Sequence, residues 1–140
     1  MENENDNERE IASLKSAQTW AKFKTAAAHA DNAAERFDSA AENIELSSIC
    51  TDGKRLRKLY YLAMKAIEAL RSAHIAGNEA VAAAVDVDNI ESYPSTRLVT
   101  RFRREAVEKY STNRAANDYM LIMIILHRLI DELPKEEAPK

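Results

Sequence analysis

The sequence predicts an all-α protein, an antiparallel helical bundle of four to five helices whose first helix is long and Ala-rich. Three observations carry this. Two Gly and three Pro in 140 residues leave little material for turns. Alanine is abundant and β-branched residues are sparse; alanine loses no side-chain entropy in a helix. Apolar residues recur at spacings of three and four, the period of one helix face. A chain of this length can bury the core of one domain. No interior linker or repeat divides it, so residues 9–133 are read as one bundle domain between a flexible acidic tail (1–8) and a flexible tail (134–140).

The first helix is expected over about residues 8–46. Trp20, Phe23, Ala27, Ala30, Ala34, Phe37, Ala41 and Ile44 alternate steps of three and four, a heptad seam. Asn32 and Glu35 have capping-box spacing, so the segment is one helix or two broken there. Asp31, Glu35, Asp38, Glu42 and Glu45 make an acidic ridge beside the seam. A turn is expected at Cys50-Thr51-Asp52-Gly53. A second helix then runs over about 54–76, with Leu56, Leu59, Tyr60, Ala63, Ala66, Ile67, Leu70 and His74 on its apolar face. Gly77 suits a helix terminator and Asn78 the next cap. A short helix over about 79–85 and a loop over 86–95, containing Pro94, follow. Residues 97–110 and 113–133 complete the plan, and Pro134 ends the last helix.

Several chemistries lack their signatures. Cys50 is the only cysteine, so no intrachain disulfide forms, and a reducing, cytoplasmic setting is expected. The first residues are acidic and polar, unlike a signal peptide. The longest apolar run, Tyr119 to Leu126, is far short of the ~20 residues that span a bilayer, so no membrane association is expected. His29, His74 and His127 have no metal-ligand spacing, and CxxC, HExxH and Gly-rich phosphate loops are absent. The expectation is a non-enzyme with no cofactor and no metal. His74, on the apolar face, is most simply a satisfied core histidine.

The charge pattern is the main functional clue. A formal net charge of −3 hides two basic blocks, residues 51–71 and 97–114, each of net +4, in an otherwise acidic chain. Lys54, Lys58, Tyr61 and Lys65 share one stripe of the second helix, flanked by Arg55 and Arg57. Arg97, Arg101 and Arg104 form a stripe opposite Leu98, Val99, Phe102, Ala106 and Tyr110, and Arg103 widens it. If both stripes face one side, they make a track for a nucleic-acid backbone, with Tyr61 free to stack on a base. The competing reading is a pair of solvated faces, partly neutralised by i,i+4 neighbours such as Glu105 and Glu108 or by the acidic ridge.

The apolar run raises a second question. On a helical wheel Ala115, Tyr119, Met123, Leu126, Leu129, Ile130 and Leu133 share an inner face. Leu121 and Ile125 fall among the polar positions, with Ile124 at their edge. Either the last helix is central, with neighbours on both sides, or Leu121, Ile124 and Ile125 meet a protein partner or a second copy.

The leading expectation is therefore a non-catalytic helical subunit that binds a nucleic-acid backbone within a larger assembly. The alternative is a protein-protein interaction module acting through an apolar or acidic helix surface, with no nucleic acid. The plan is similar, in architecture alone, to helical small subunits of RNA-guided effector complexes and to bundle-type nucleic-acid accessory proteins. No residue signature carries that likeness and no site is transferred from it.

Overall fold

The structure is a computed structural model. It describes residues 2–42, 52–91, 94–111 and 114–133, without the side chains of 2–5, 91, 94–96, 111, 114 and 115. All of these residues but Asp52, Glu132 and Leu133 lie in four helices: α1 (Glu2–Glu42), α2 (Gly53–Glu91), α3 (Pro94–Ser111) and α4 (Arg114–Asp131). The all-helical bundle expected from composition and periodicity is what forms.

α2 is the central helix and packs against the other three. α1 runs antiparallel to it: Ile11 shares a groove with Ile90, Phe23 lies beside Gly77, and Asp38 shares a groove with Leu70. α3 and α4 run back along α2 in succession. The Thr100 hydroxyl donates to the Ala84 carbonyl at 3.3 Å, Val107 sits against Gly77, and the Tyr60 and His127 rings are 6.2 Å apart. The bundle thus has three antiparallel arms, the third made of two helices.

The core follows the seam read from the sequence. Phe23, Ala30 and Phe37 of α1 are buried, with Trp20, Ala27, Ala34 and Ala41 packed against them. α2 answers with Ala63, Ala66, Ala69, Ala73, Ala76 and Ala80. Small side chains on the facing surfaces let the two long helices approach closely. Larger groups, Leu56, Leu59, Ile67 and Leu70, add bulk to the first half of α2, along which α4 brings Tyr119 beside Leu70 and His127 beside Tyr60. Asp52 caps α2: its Oδ1 accepts from the backbone N–H groups of Lys54 and Arg55 at 3.1 and 3.3 Å.

Several expectations are corrected. α1 starts at Glu2, inside the stretch read as a tail, and passes unbroken through Asp31-Asn32 to Glu42. Its expected continuation to residue 46, the Cys50 and Thr51 part of the turn and the 134–140 tail lie outside the described residues. Gly77 ends nothing: α2 continues through it to Glu91, absorbing the expected short helix and most of the expected loop. The reason is tertiary. A Cβ at residue 77 would stand 2.6 Å from Val107 Cγ1 and 3.3 Å from Phe23 Cδ2, so glycine is there for close approach of two helices, not for a left-handed cap. Pro94 opens α3, where its missing N–H has no intrahelical acceptor to lose. His74 is only half satisfied: Nε2 lies 3.3 Å from the Asn78 amide, while Nδ1 is buried without a partner.

Candidate interaction surfaces

α4 has one apolar face too many. Its inner side presents Ala116, Tyr119 and Leu126 to the core, with Ile122, Met123, Leu129 and Ile130 partly buried. Leu121, Ile124 and Ile125 point away and are 60%, 60% and 59% exposed, with Met120 beside them. α4 is therefore not enclosed, and of the two alternatives the central last helix is the one that does not form. Ile124 and Met120 also line an open groove of about 330 Å³ with Tyr60, Met123 and His127. Burying one such side chain is worth about 1.5–3 kcal/mol, so this row is a surface whose burial is favourable. Asp118 precedes it and Arg128 follows it, both exposed.

The basic residues are not gathered into one track. Lys54, Arg55, Arg57, Lys58, Tyr61 and Lys65 are all exposed near the start of α2. Arg97, Arg101 and Arg104 are exposed on α3, beside the far end of α2 where Thr100 meets Ala84. From Lys58 to Ala84 is 26 residues of helix, about 40 Å at 1.5 Å per residue. Both groups are also partly compensated. Arg55 pairs with Asp52 at 3.3 Å, Lys65 with Glu68 at 3.4 Å and Arg101 with Glu105 at 3.5 Å. The Lys65 ammonium stands 5.4 Å over the Tyr61 ring.

Arg103 departs from the expected stripe. It turns inward, its guanidinium 5.1 Å over the Trp20 ring and donating to the Ser16 hydroxyl. Partial burial lowers its pKa from the usual value. Leu98, Val99 and Phe102, expected inside, are exposed instead, Phe102 at 66%. The anchors of α3 explain this rotation. Val107 nests on Gly77, and Tyr110 packs edge-on against Phe23 at 5.7 Å. Leu98 stands nine residues before Val107, about two and a half turns, so anchoring Val107 inward turns Leu98 outward.

The acidic ridge of α1 meets tyrosines more than cations. Asp31 accepts from the Tyr110 hydroxyl at 3.0 Å and pairs with Lys109 at 3.4 Å. Asp38, two turns on, accepts from the Tyr119 hydroxyl at 3.2 Å. Tyr119 also stands perpendicular to Phe37, ring centres 5.2 Å apart. These contacts tie each segment of the third arm to α1. Asp31, Glu35, Asp38 and Glu42 line an open groove beside the two tyrosines. Burial, reinforced by Asp31, pushes the Tyr110 pKa up to about 12. Burial, reinforced by Asp38 and more weakly Asp118, does the same to Tyr119.

Among the described residues no group of three His, Cys, Asp or Glu side chains is placed to hold a metal ion. No helix among them is long and apolar enough to cross a membrane. Sequence reasoning found the α4 surface, because Leu121 and Ile125 broke the helical wheel. It missed Leu98 and Phe102, whose apolar character pointed inward, and it gave no warning of Arg103. Compared with protein-family models, curated proteins and solved structures, the chain matches none.

Proposed function

We propose that this chain is a non-catalytic helical interaction module that docks a protein through the outer face of α4. The observation that supports the reading is the row of Met120, Leu121, Ile124 and Ile125, exposed on a helix whose opposite face is already in the core. An apolar row on a well-anchored helix is a docking surface of the helix-packing kind. The three-arm core supplies the rigidity and the bare face supplies the affinity.

The test is a photo-crosslinking residue placed at Ile125, with one at the exposed Lys22 of α1 as control. The expected result is one discrete covalent adduct from position 125 and none from position 22. A Leu121→Glu, Ile125→Glu variant carrying the crosslinker at Ile124 should lose the adduct while keeping its helical circular dichroism. No adduct from position 125, or an adduct from position 124 that survives both glutamates, overturns the reading.

A second reading is favoured by the Lys54, Arg57, Lys58 and Tyr61 cluster, whose side chains are exposed near one end of α2. Here the basic ends contact a nucleic-acid backbone. Because the two clusters are about 40 Å apart along α2, each is a separate contact or one polymer bridges both. Fluorescence anisotropy with single-stranded and duplex oligonucleotides at two salt concentrations tests it. Binding should fall steeply with salt, and Arg97→Glu, Arg101→Glu, Arg104→Glu together should weaken all sequences alike and flatten the salt slope. Unchanged binding in that variant would remove α3 from the interface. No binding at low salt would sink the nucleic-acid reading as a whole.

A further inference from the structure

We propose that the protein docked on α4 is a second copy of this chain, the two α4 helices packing antiparallel about a two-fold axis. The inference rests on the docking reading above and names its occupant.

Register and charge both favour a second copy. Asp118, Leu121, Ile125, Arg128 and Glu132 follow one another at steps of three, four, three and four. That is a heptad seam, here on the side of α4 turned away from its own core, and all five residues are exposed or largely so. In an antiparallel pair of identical helices the numbers of facing residues add to a constant. With Leu121 opposite Ile125 of the other copy, that constant also sets Asp118 opposite Arg128. Each end of the apolar centre is then closed by an acid meeting a base, and the two-fold axis repeats the match. A parallel pair would instead set Asp118 against Asp118 and Arg128 against Arg128.

Within the chain neither Asp118 nor Arg128 forms an ion pair among the described residues, although other exposed charges of these helices do. The surface is thus self-complementary in the way a two-fold interface requires, with the same patch serving both sides. Ile124 lies beside the seam at the mouth of the groove lined by Tyr60, Met120, Met123 and His127. That groove gives the opposing helix a hole for a side chain. The apolar row is small, a few hundred Å² per copy, so the interface lies near the ~1,000 Å² lower bound of specific association. A reversible, concentration-dependent dimer is therefore expected.

Sedimentation of the full chain over a wide concentration range is the experiment, combined with charge exchange. The wild-type chain should pass from monomer to dimer. Asp118→Arg alone and Arg128→Asp alone should each stay monomeric where the wild type dimerises, because each sets like charges against each other twice. Mixing the two variants should restore the dimer, since every Arg then faces an Asp. The doubly exchanged chain, D118R with R128D, should dimerise with itself. Circular dichroism of each variant controls for folding.

A wild-type chain that stays monomeric overturns the proposal, as does a dimer indifferent to the single exchanges or unrecovered on mixing. The crosslinking result separates this failure from failure of the docking reading. An adduct of twice the chain mass from position 125 agrees with a second copy. A discrete adduct of another mass, with monomeric sedimentation, removes the second copy and leaves the docking surface. No adduct removes both.

Discussion

Raising the pH from about 10 to about 12 is expected to remove about 1–3 kcal/mol of folding stability from the wild-type chain, and much less from a Tyr110→Phe, Tyr119→Phe variant. Both hydroxyls are turned against carboxylates, Tyr110 on Asp31 and Tyr119 on Asp38. Burial first, and then those carboxylates, disfavour the tyrosinate, so each pKa rises from 10.0 to about 12 in the folded chain. The sign follows from which state loses its proton first. In the unfolded chain the tyrosines ionise near their ordinary value, while the folded chain holds its protons up to the raised value. Stability is thus fully present below the ordinary value and is lost as the pH climbs to the raised one. Unscreened, each two-unit shift would correspond to about 2–3 kcal/mol; the hydroxyls border a groove open to solvent, and screening reduces each to roughly half of that or less.

Urea titrations at a series of alkaline pH values, read by circular dichroism, make the comparison. At neutral pH the double variant should be the less stable chain, by about 0.5–1.5 kcal/mol for each hydrogen bond removed. The two stability curves should converge as the pH rises through the window. The difference between the two proteins reads the Tyr110 and Tyr119 hydroxyls together with the Asp31 and Asp38 contacts they make. Parallel curves would mean that burial and the two aspartates do not raise the tyrosine pKa values in the folded chain.

Gly77→Ala is expected to destabilise the fold by up to about 2 kcal/mol, against the usual effect of that change within a helix. In an exposed helix the substitution gains about 1 kcal/mol, because alanine is the better helix former. Here the new methyl would stand 2.6 Å from Val107 Cγ1 and 3.1 Å from its Cγ2. Val107 is buried and β-branched, with little rotamer freedom to yield. Overpacking of this kind costs typically 1–3 kcal/mol and occasionally more, enough to reverse the gain. Gly53 provides the contrast. Its added Cβ would meet the tips of Leu133 and Arg57 at 3.1 and 3.2 Å, and long side chains can move aside, so Gly53→Ala should be close to neutral.

Urea midpoints of the two variants decide it. Combining Gly77→Ala with Val107→Ala should cost less than the sum of the single changes, since the second removes the atoms that the first strikes. A stabilised Gly77→Ala protein would show that α3 does not press on α2 at this point.

Gly77 also shows how far the sequence could be read. Glycine after an apolar stretch and before Asn78 has the grammar of a helix end. The same residue within a helix lets a neighbour come close. What separates the two meanings is Val107, thirty residues away, which no local window contains. α3 repeats the lesson. Its apolar Leu98, Val99 and Phe102 argue for one inner face, yet Thr100, Arg103, Val107 and Tyr110 turn inward because their partners Ala84, Trp20, Gly77 and Asp31 are fixed on other helices. The α4 surface was legible for the opposite reason. Leu121 and Ile125 conflicted with the polar positions around them, and one-sided burial could not accommodate both faces.

By itself the sequence determined the helical class, the Trp20-to-Phe37 seam of α1 and the surplus of apolar residues on α4. Those properties depend on composition and on a period of 3.6 residues, which are local. Only the tertiary structure decided that α2 runs through Gly77, that Arg103 lies on Trp20 and that the two basic clusters stand at opposite ends of the bundle. Each depends on which helix faces which, and at what rotation. Helical periodicity says that a face exists, whereas the shape and polarity of its neighbours choose which face is buried.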